Sequence, residues 1–184
     1  MMEREQYTPG PAGGVEVRKD GEKWTLILVR QLRHAPEKVW QALTDPAHLR
    51  EWAPFDVDHS LDTAGKTVKL TWVGNPTPID TNVKRADAPR MLEYGDMRWE
   101  LEPQGSGTRL TLWSTIDRRF VSMGAAGWHI SLDVLDFLLN GNPISRIAGG
   151  EAMKFSGWQR LNAEYAKLFG TDRRGSESVS EPRA

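Results

Sequence analysis

Trp128-His129-Ile130-Ser131-Leu132-Asp133-Val134-Leu135-Asp136-Phe137-Leu138-Leu139-Asn140 decides the architecture of this 184-residue chain. At about 100° per residue, His129, Asp133, Asp136 and Asn140 fall in a polar stripe about 60° wide, and apolar side chains fill about 220° of the circumference. A helix this apolar has to be enclosed by its partner. Ile130, Leu132, Val134, Leu135, Leu138 and Leu139 require a curved surface, which a bent antiparallel sheet provides. Gly141-Asn142-Pro143 ends the helix. Phe155, Trp158, Leu161, Tyr165 and Leu168 then recur at helical spacing, which predicts a C-terminal helical region broken between Asn140 and Gly150.

The sheet is written upstream. Val15-Glu16-Val17-Arg18 and Trp24-Thr25-Leu26-Ile27-Leu28-Val29 flank Lys19-Asp20-Gly21-Glu22, where Asp-Gly supplies a tight hairpin turn. Six further runs, Phe55 to His59, Lys66 to Val73, Ile79 to Ala86, Met91 to Gly95, Met97 to Glu102 and Thr108 to Asp117, are separated by Gly- and Pro-containing turns. They read as an antiparallel meander. Residues 1–14, rich in Pro and Gly, and residues 170–184, rich in Ser, Glu and Arg, lack apolar periodicity and are expected to be a flexible leader and a disordered tail around a single domain at 15–169.

Between the hairpin and the meander, Pro36 occupies a first helical position, where its missing N–H costs nothing. Val39, Trp40 and Leu43 share one face of that helix. Thr44-Asp45-Pro46 stops it and opens another, with Leu49 and Trp52 as its apolar stripe. The string Arg30-Gln31-Leu32, Ala35-Pro36, Val39-Trp40, Ala42-Leu43-Thr44-Asp45-Pro46, Leu49 and Trp52, with Gly107-Thr108-Arg109-Leu110-Thr111-Leu112 downstream, resembles the START-like (SRPBCC) helix-grip superfamily. Within it, the string is similar to bacterial homologues of the activator of heat-shock chaperone ATPase. The resemblance spans Val15 to Phe169. It implies an α+β helix-grip fold, a curved antiparallel sheet wrapped around C-terminal helices, with two short helices after the first long strand. It also implies a cavity between sheet and helix that accepts a small, largely apolar ligand. Two other roles belong to the same resemblance: a chaperone-regulating partner protein of the stress response, and an enzyme of the cyclase or hydrolase kind.

Composition narrows the classes. The 24 basic and 25 acidic residues leave a net charge of -1, which gives no field to concentrate the chain on phosphate backbones or acidic lipids. Nucleic-acid and membrane partners are not expected, and a monomer or homodimer in the cytoplasm is. No cysteine is present, so disulfides, thiolate nucleophiles and cysteine zinc sites are absent. No Gly-x-Ser-x-Gly elbow, phosphate loop, His-Glu-x-x-His or dinucleotide fingerprint occurs. No cofactor, metal or catalytic residue is assigned.

Strand parity aligns Val68, Leu70 and Trp72, then Met97, Trp99 and Leu101, then Leu110, Leu112, Ser114 and Ile116, on faces that look toward the enclosed helix. Ser131 is the polar residue nearest the centre of that helix's apolar arc. Two hydroxyls in an apolar concavity are the composition of a small-ligand pocket. Phe55, Trp72, Met97, Trp99, Ser114, Trp128, Ser131 and Leu135 are therefore the candidate ligand-binding residues; the alternative is a solid interior in which each hydroxyl bonds a nearby carbonyl. His129 and Asp133, one turn apart, read as an exposed pair. His34 and His48 read as solvated. Asp56, Asp58, His59 and Asp62 have metal-ligand chemistry, but on a strand His59 would point away from Asp56 and Asp58. Glu100 and Glu102 share the solvent face with Arg98.

Overall fold

The computed structural model describes residues 4–173. The hairpin comes first: Gly21, at φ 64°, turns β1 (Val15–Arg18) into β2 (Lys23–Leu32). The helices α1 (Pro36–Thr44) and α2 (Pro46–Trp52) begin at the two prolines, and Asp45 caps α2 by accepting from Ala47 N. The meander is β3 (Phe55–Val57), β4 (Thr67–Trp72), β5 (Ile79–Asp87), β6 (Met91–Tyr94), β7 (Met97–Gln104) and β8 (Gly107–Asp117). All neighbours are antiparallel, in the order β1-β2-β8-β7-β6-β5-β4-β3, so the first hairpin closes onto the last strand. The 55–59 run is shorter than its pattern suggested, ending as a strand at Val57.

The registers put the expected side chains on one face. Leu26 and Met97 flank Ser114, while Leu28 and Trp99 flank Leu112. Gly107, which opens the second matched string, has a packing reason: a Cβ there would lie 2.2 Å from Leu32 O. Beside it, Thr108 Oγ1 donates to His34 O at 2.6 Å, tying β8 to the entry of α1.

The inward face grips α3 (Val121–Leu139), which buries Val121, Ala125, Ala126, Ile130, Leu132, Val134, Leu135 and Leu139. The break after Asn140 is as expected, and two helices lie beyond it, α4 (Gly149–Lys154) and α5 (Ser156–Phe169). Helix α5 lies along α3 with Trp158, Leu161 and Tyr165 buried. Leu168, expected on its apolar stripe, is 62% exposed, and Phe169 is buried in its stead. Among the described residues, no helix is long and apolar enough to cross a membrane.

The leader departs from the sequence reading. Residues 4–14 lie along α3 and α5 as a strap. Tyr7 is buried, its ring edge-on to Phe137 at 5.6 Å and stacked with Phe155 at 5.8 Å. Arg160 donates to Pro9 O and Gly10 O, and Ala12 N donates to Glu164. A segment without periodicity is held here by single anchors placed on another element, which a local pattern does not display. Of the expected tail, residues 174–184 lie outside the described residues.

Candidate functional site

Helix α3 has two faces of different chemistry. Gly124, Gly127 and Ser131, at i, i+3 and i+7, form a stripe of small residues on the side toward the C-terminal end of β8. Two glycines inside a helix cost about 1 kcal/mol each relative to Ala, so missing side-chain volume is what the stripe supplies. Gly124 uses that volume for contact, since a Cβ there would lie 2.8 Å from Ile116 Cδ1. Gly127 leaves it open, with nothing within 4 Å of where its Cβ would stand.

The open volume is a cleft of about 280 Å³. One wall is α3 with Met123, Gly127 and Ser131; Ile116 and Pro54 form the end nearest the sheet; Ile147, Ala148, Gly149 and Ala152 form the opposite wall, and Trp158 closes it from α5. Phe120 and Met153 also line it and are 46% and 48% exposed, which places them at the mouth. Helix α4 is seated by Gly149, at φ 62°, where a Cβ would meet Val73 O at 2.9 Å. No lining residue carries an ionisable side chain.

Ser131 is the polar group of this cleft. It is 1% exposed, and its buried Oγ has no hydrogen-bond partner among the described residues. A helical serine ordinarily returns its hydroxyl to the carbonyl one turn back. An unpaired buried hydroxyl costs about 1–3 kcal/mol, and this one lies behind the cleft wall, closed off from water.

The other expected ligand residues are elsewhere. Phe55, Trp99 and Trp128 form a solid edge-to-face cluster: Trp99 to Trp128 at 5.6 Å, Phe55 to Trp128 at 6.4 Å, Trp52 to Trp99 at 6.1 Å. Trp99 Nε1 donates to Tyr94 Oη at 3.0 Å, and burial pushes the Tyr94 hydroxyl's pKa up. Leu135 and Met97 are buried in the same core, and Ser114 is 8% exposed on β8. Trp72, edge-on to Phe55 at 5.2 Å, borders a separate hollow of about 390 Å³ beside Asp56 and Arg146. In the interior between Trp72, Trp99 and Leu135, where parity placed the ligand, the rings of Phe55, Trp72, Trp99 and Trp128 meet edge to face. Only Ser131 of the eight lines the cleft. Its other walls were missed, and the spacing Gly124-x-x-Gly127-x-x-x-Ser131 is the signal that could have found them.

The opposite face of α3 corrects the reading of His129. The residue is 6% exposed, covered by the strap and by α5. Its Nδ1 lies 2.7 Å from Tyr165 Oη, which also meets Gly13 O and N at 3.2 Å, and its Nε2 lies 3.7 Å from Asp133. Asp133 accepts from Arg30 at 2.6 Å and from Tyr7 Oη at 2.5 Å, and Arg30 also donates to His129 O. Burial is the largest influence on the imidazole and lowers its pKa to about 4, with Asp133 working against it. The first turn of the polar stripe is therefore a covered ion and hydrogen-bond network, with His129 buried and Asp133 half-buried under chain from two other segments, while Asn140 at its end stays exposed.

Among the described residues no three His, Asp or Glu side chains converge on a possible metal position. Asp56 is held bidentately by Arg146 at 2.6 and 3.1 Å, fastening the 140–148 linker to β3. His59, beyond the strand's end, turns toward Asp58 at 3.1 Å rather than away from it, because alternation stops at Val57. Glu100 and Glu102 sit on the outer face, paired to Arg98 and Arg109.

The family described as activator of Hsp90 ATPase homolog 1-like protein matches residues 33–140, more than half of the sequence. The chain belongs to this family. Solved structures agree on the fold. EF2215 of Enterococcus faecalis, a conserved protein of unknown function, superposes with a TM-score of 0.64 at 17% identity, over 85% of this chain and 91% of its own. CalU16 of Micromonospora echinospora gives 0.60 at 22% identity, over 84% and 94%. DynU16, from the dynemicin biosynthetic locus, gives 0.57 at 21% identity, over 67% of this chain and 50% of its own. No curated protein matches the chain. The family match ends at Asn140, the C-cap of α3, so the Ile147–Met153 wall and Trp158 of the cleft lie beyond it.

Proposed function

We propose that the protein is a binding or carrier protein for a small, largely apolar molecule, held in the cleft between α3, the end of β8 and α4. The observation that carries this reading is the open hollow beside Gly127, walled by apolar side chains and free of ionisable ones. A cleft of about 280 Å³ falls at the lower edge of the roughly 300–1,000 Å³ that small-molecule sites occupy. The lining offers apolar surface and no general acid or base, so it supports holding a molecule rather than converting it. That DynU16 comes from a biosynthetic locus is in keeping with a small-molecule ligand. Family membership alone speaks for a chaperone-regulating role, and the site's chemistry adds nothing to it.

The test is titration with the neutral apolar dye N-phenyl-1-naphthylamine, following dye emission and energy transfer from tryptophan. Saturable binding is expected, with a melting temperature that rises with dye concentration. Ser131→Leu should weaken binding while stability stays level. Absence of saturable binding, together with strong destabilisation by Ser131→Leu, would mean a filled interior and overturn the reading.

A further inference from the structure

We infer that residues 141–155 form a hinged lid over the cleft, latched shut by the Arg146–Asp56 ion pair, so that this pair sets how fast a ligand enters and leaves. This rests on the cleft being a ligand site and goes further, to how access to it is controlled. Helix α4 is the least firmly held wall. It has six residues and no side-chain cap, and of its own side chains Ala152 alone is buried, while Glu151, Met153 and Lys154 are exposed. An element with so little buried apolar surface is where local opening costs least. Both ends of α4 can turn: Gly149 and Gly150 begin it, and Phe155, in extended backbone at φ −80° and ψ 124°, separates it from α5.

The linker ahead of α4 carries the latch. Arg146 donates bidentately to Asp56 of β3 at 2.6 and 3.1 Å, and its neighbour Ile147 turns the other way, buried, into the cleft wall. The pair therefore ties to the sheet the stretch of chain that walls the ligand space. Its side chains are 24% and 43% exposed, within reach of water and salt. Ser145, beside Arg146, stands at φ 72°, in the left-handed region that a residue with a Cβ disfavours. The closed linker is thus held against a backbone preference, and loss of the pair lets Ser145 relax as the lid opens. Neither Arg146 nor Asp56 lines the cleft, so removing their pair alters no contact with a ligand. What shifts is the lid. A shift shared by the empty and the occupied cleft changes entry and exit by the same factor and leaves affinity as it was.

The experiment is stopped-flow binding of N-phenyl-1-naphthylamine to the full chain and to its Arg146→Gln, Asp56→Asn and doubly substituted variants, with amide hydrogen exchange read alongside. Each single substitution should raise the association and dissociation rates together by about fivefold, with Kd changed by less than about twofold. The double variant should match the singles, since the same pair is lost in each. Raising salt from about 0.02 to about 0.5 M should speed entry into the native chain and not into Arg146→Gln, because the dye is neutral and the latch is charged. The amides of Ala152 and Phe155, which donate to Ala148 O and Ala152 O, should exchange about fivefold faster in the variants while those of α3 keep their rates. Saturable binding with unchanged rates, or faster exit alone with weaker affinity, would overturn the inference and leave the cleft an apolar binding site. Equal acceleration of exchange throughout α3 would assign the effect to a loosened fold and overturn it as well. Absence of saturable binding would remove both the ligand site and its lid.

Discussion

The two long faces of α3 treat polarity in opposite ways. On the face under the strap, His129 and Asp133 are surrounded by Tyr7, Arg30 and Tyr165, and Gly13 meets Tyr165 from the strap. On the face toward α4, Ser131 stands buried with no partner beside glycines that leave space unfilled. The first face spends polar groups on holding three chain segments together. The second leaves one hydroxyl unpaired and one hollow open. Equal burial therefore separates structure from candidate function only when hydrogen bonding and free volume are read with it.

The largest effect that would sharpen this contrast is removal of the strap. Deleting residues 1–13 uncovers Tyr165 and His129 and takes away Tyr7, whose loss alone resembles an aromatic-to-alanine truncation of about 3 kcal/mol. The melting temperature should fall by about 10 °C, with dye binding retained if the truncated chain is assayed below its new midpoint. A change within about 2 °C would show that the strap contributes nothing.

Acid should act on the same face. His129 has its pKa lowered to about 4 from an ordinary value near 6.5, so the unfolded chain binds the proton more readily than the folded one in that window. Its contribution is fully present above about pH 6.5 and is lost as pH falls toward 4, about 2 kcal/mol by pH 5. Denaturant unfolding at pH 7 and pH 5 measures it, and His129→Gln should flatten the difference. Asp133, Arg30, Arg160 and Glu164 also face the ring, and persistence of the full slope in the glutamine variant would contradict the assignment to His129.

The cleft face should respond with smaller and opposite sign. Gly127→Leu fills open space and removes a helix-interior glycine, so stability should stay level or rise by about 0.5–1 kcal/mol while dye affinity drops more than tenfold. Ser131→Ala should be the quietest in stability, within about 0.5 kcal/mol, since no bond within the protein is lost. A cost well above about 1 kcal/mol would mean that the hydroxyl serves the fold.

Much of this fold was readable from local pattern. The width of the apolar arc on 128–140, the prolines at 36 and 46 and the parity of the strands each specify their element without reference to distant chain. Ser131 was readable for the same reason, as a polar residue at the centre of an apolar arc. What failed was everything decided by a covering segment. His129 and Asp133 look like solvent residues on a helical wheel, and only Tyr7 and Tyr165, distant in sequence, make them interior. Parity likewise places Trp72, Met97 and Trp99 correctly on the inward face, yet it cannot tell a lined cavity from interlocked rings, because that depends on volumes summed across elements. The cleft arises instead where glycines of α3 meet α4, beyond the residues that the family match spans.

The central claim is that the ligand space is the α3/α4 cleft and not the aromatic interior. Methyl-labelled methionines report it directly, because Met123 and Met153 line the cleft and Met97 lies in the sheet core. On titration with N-phenyl-1-naphthylamine, the Met123 and Met153 methyl resonances should shift together and saturate while Met97 stays fixed; a saturating shift at Met97 with Met123 and Met153 unmoved, or no shift at any of the three, would contradict the account.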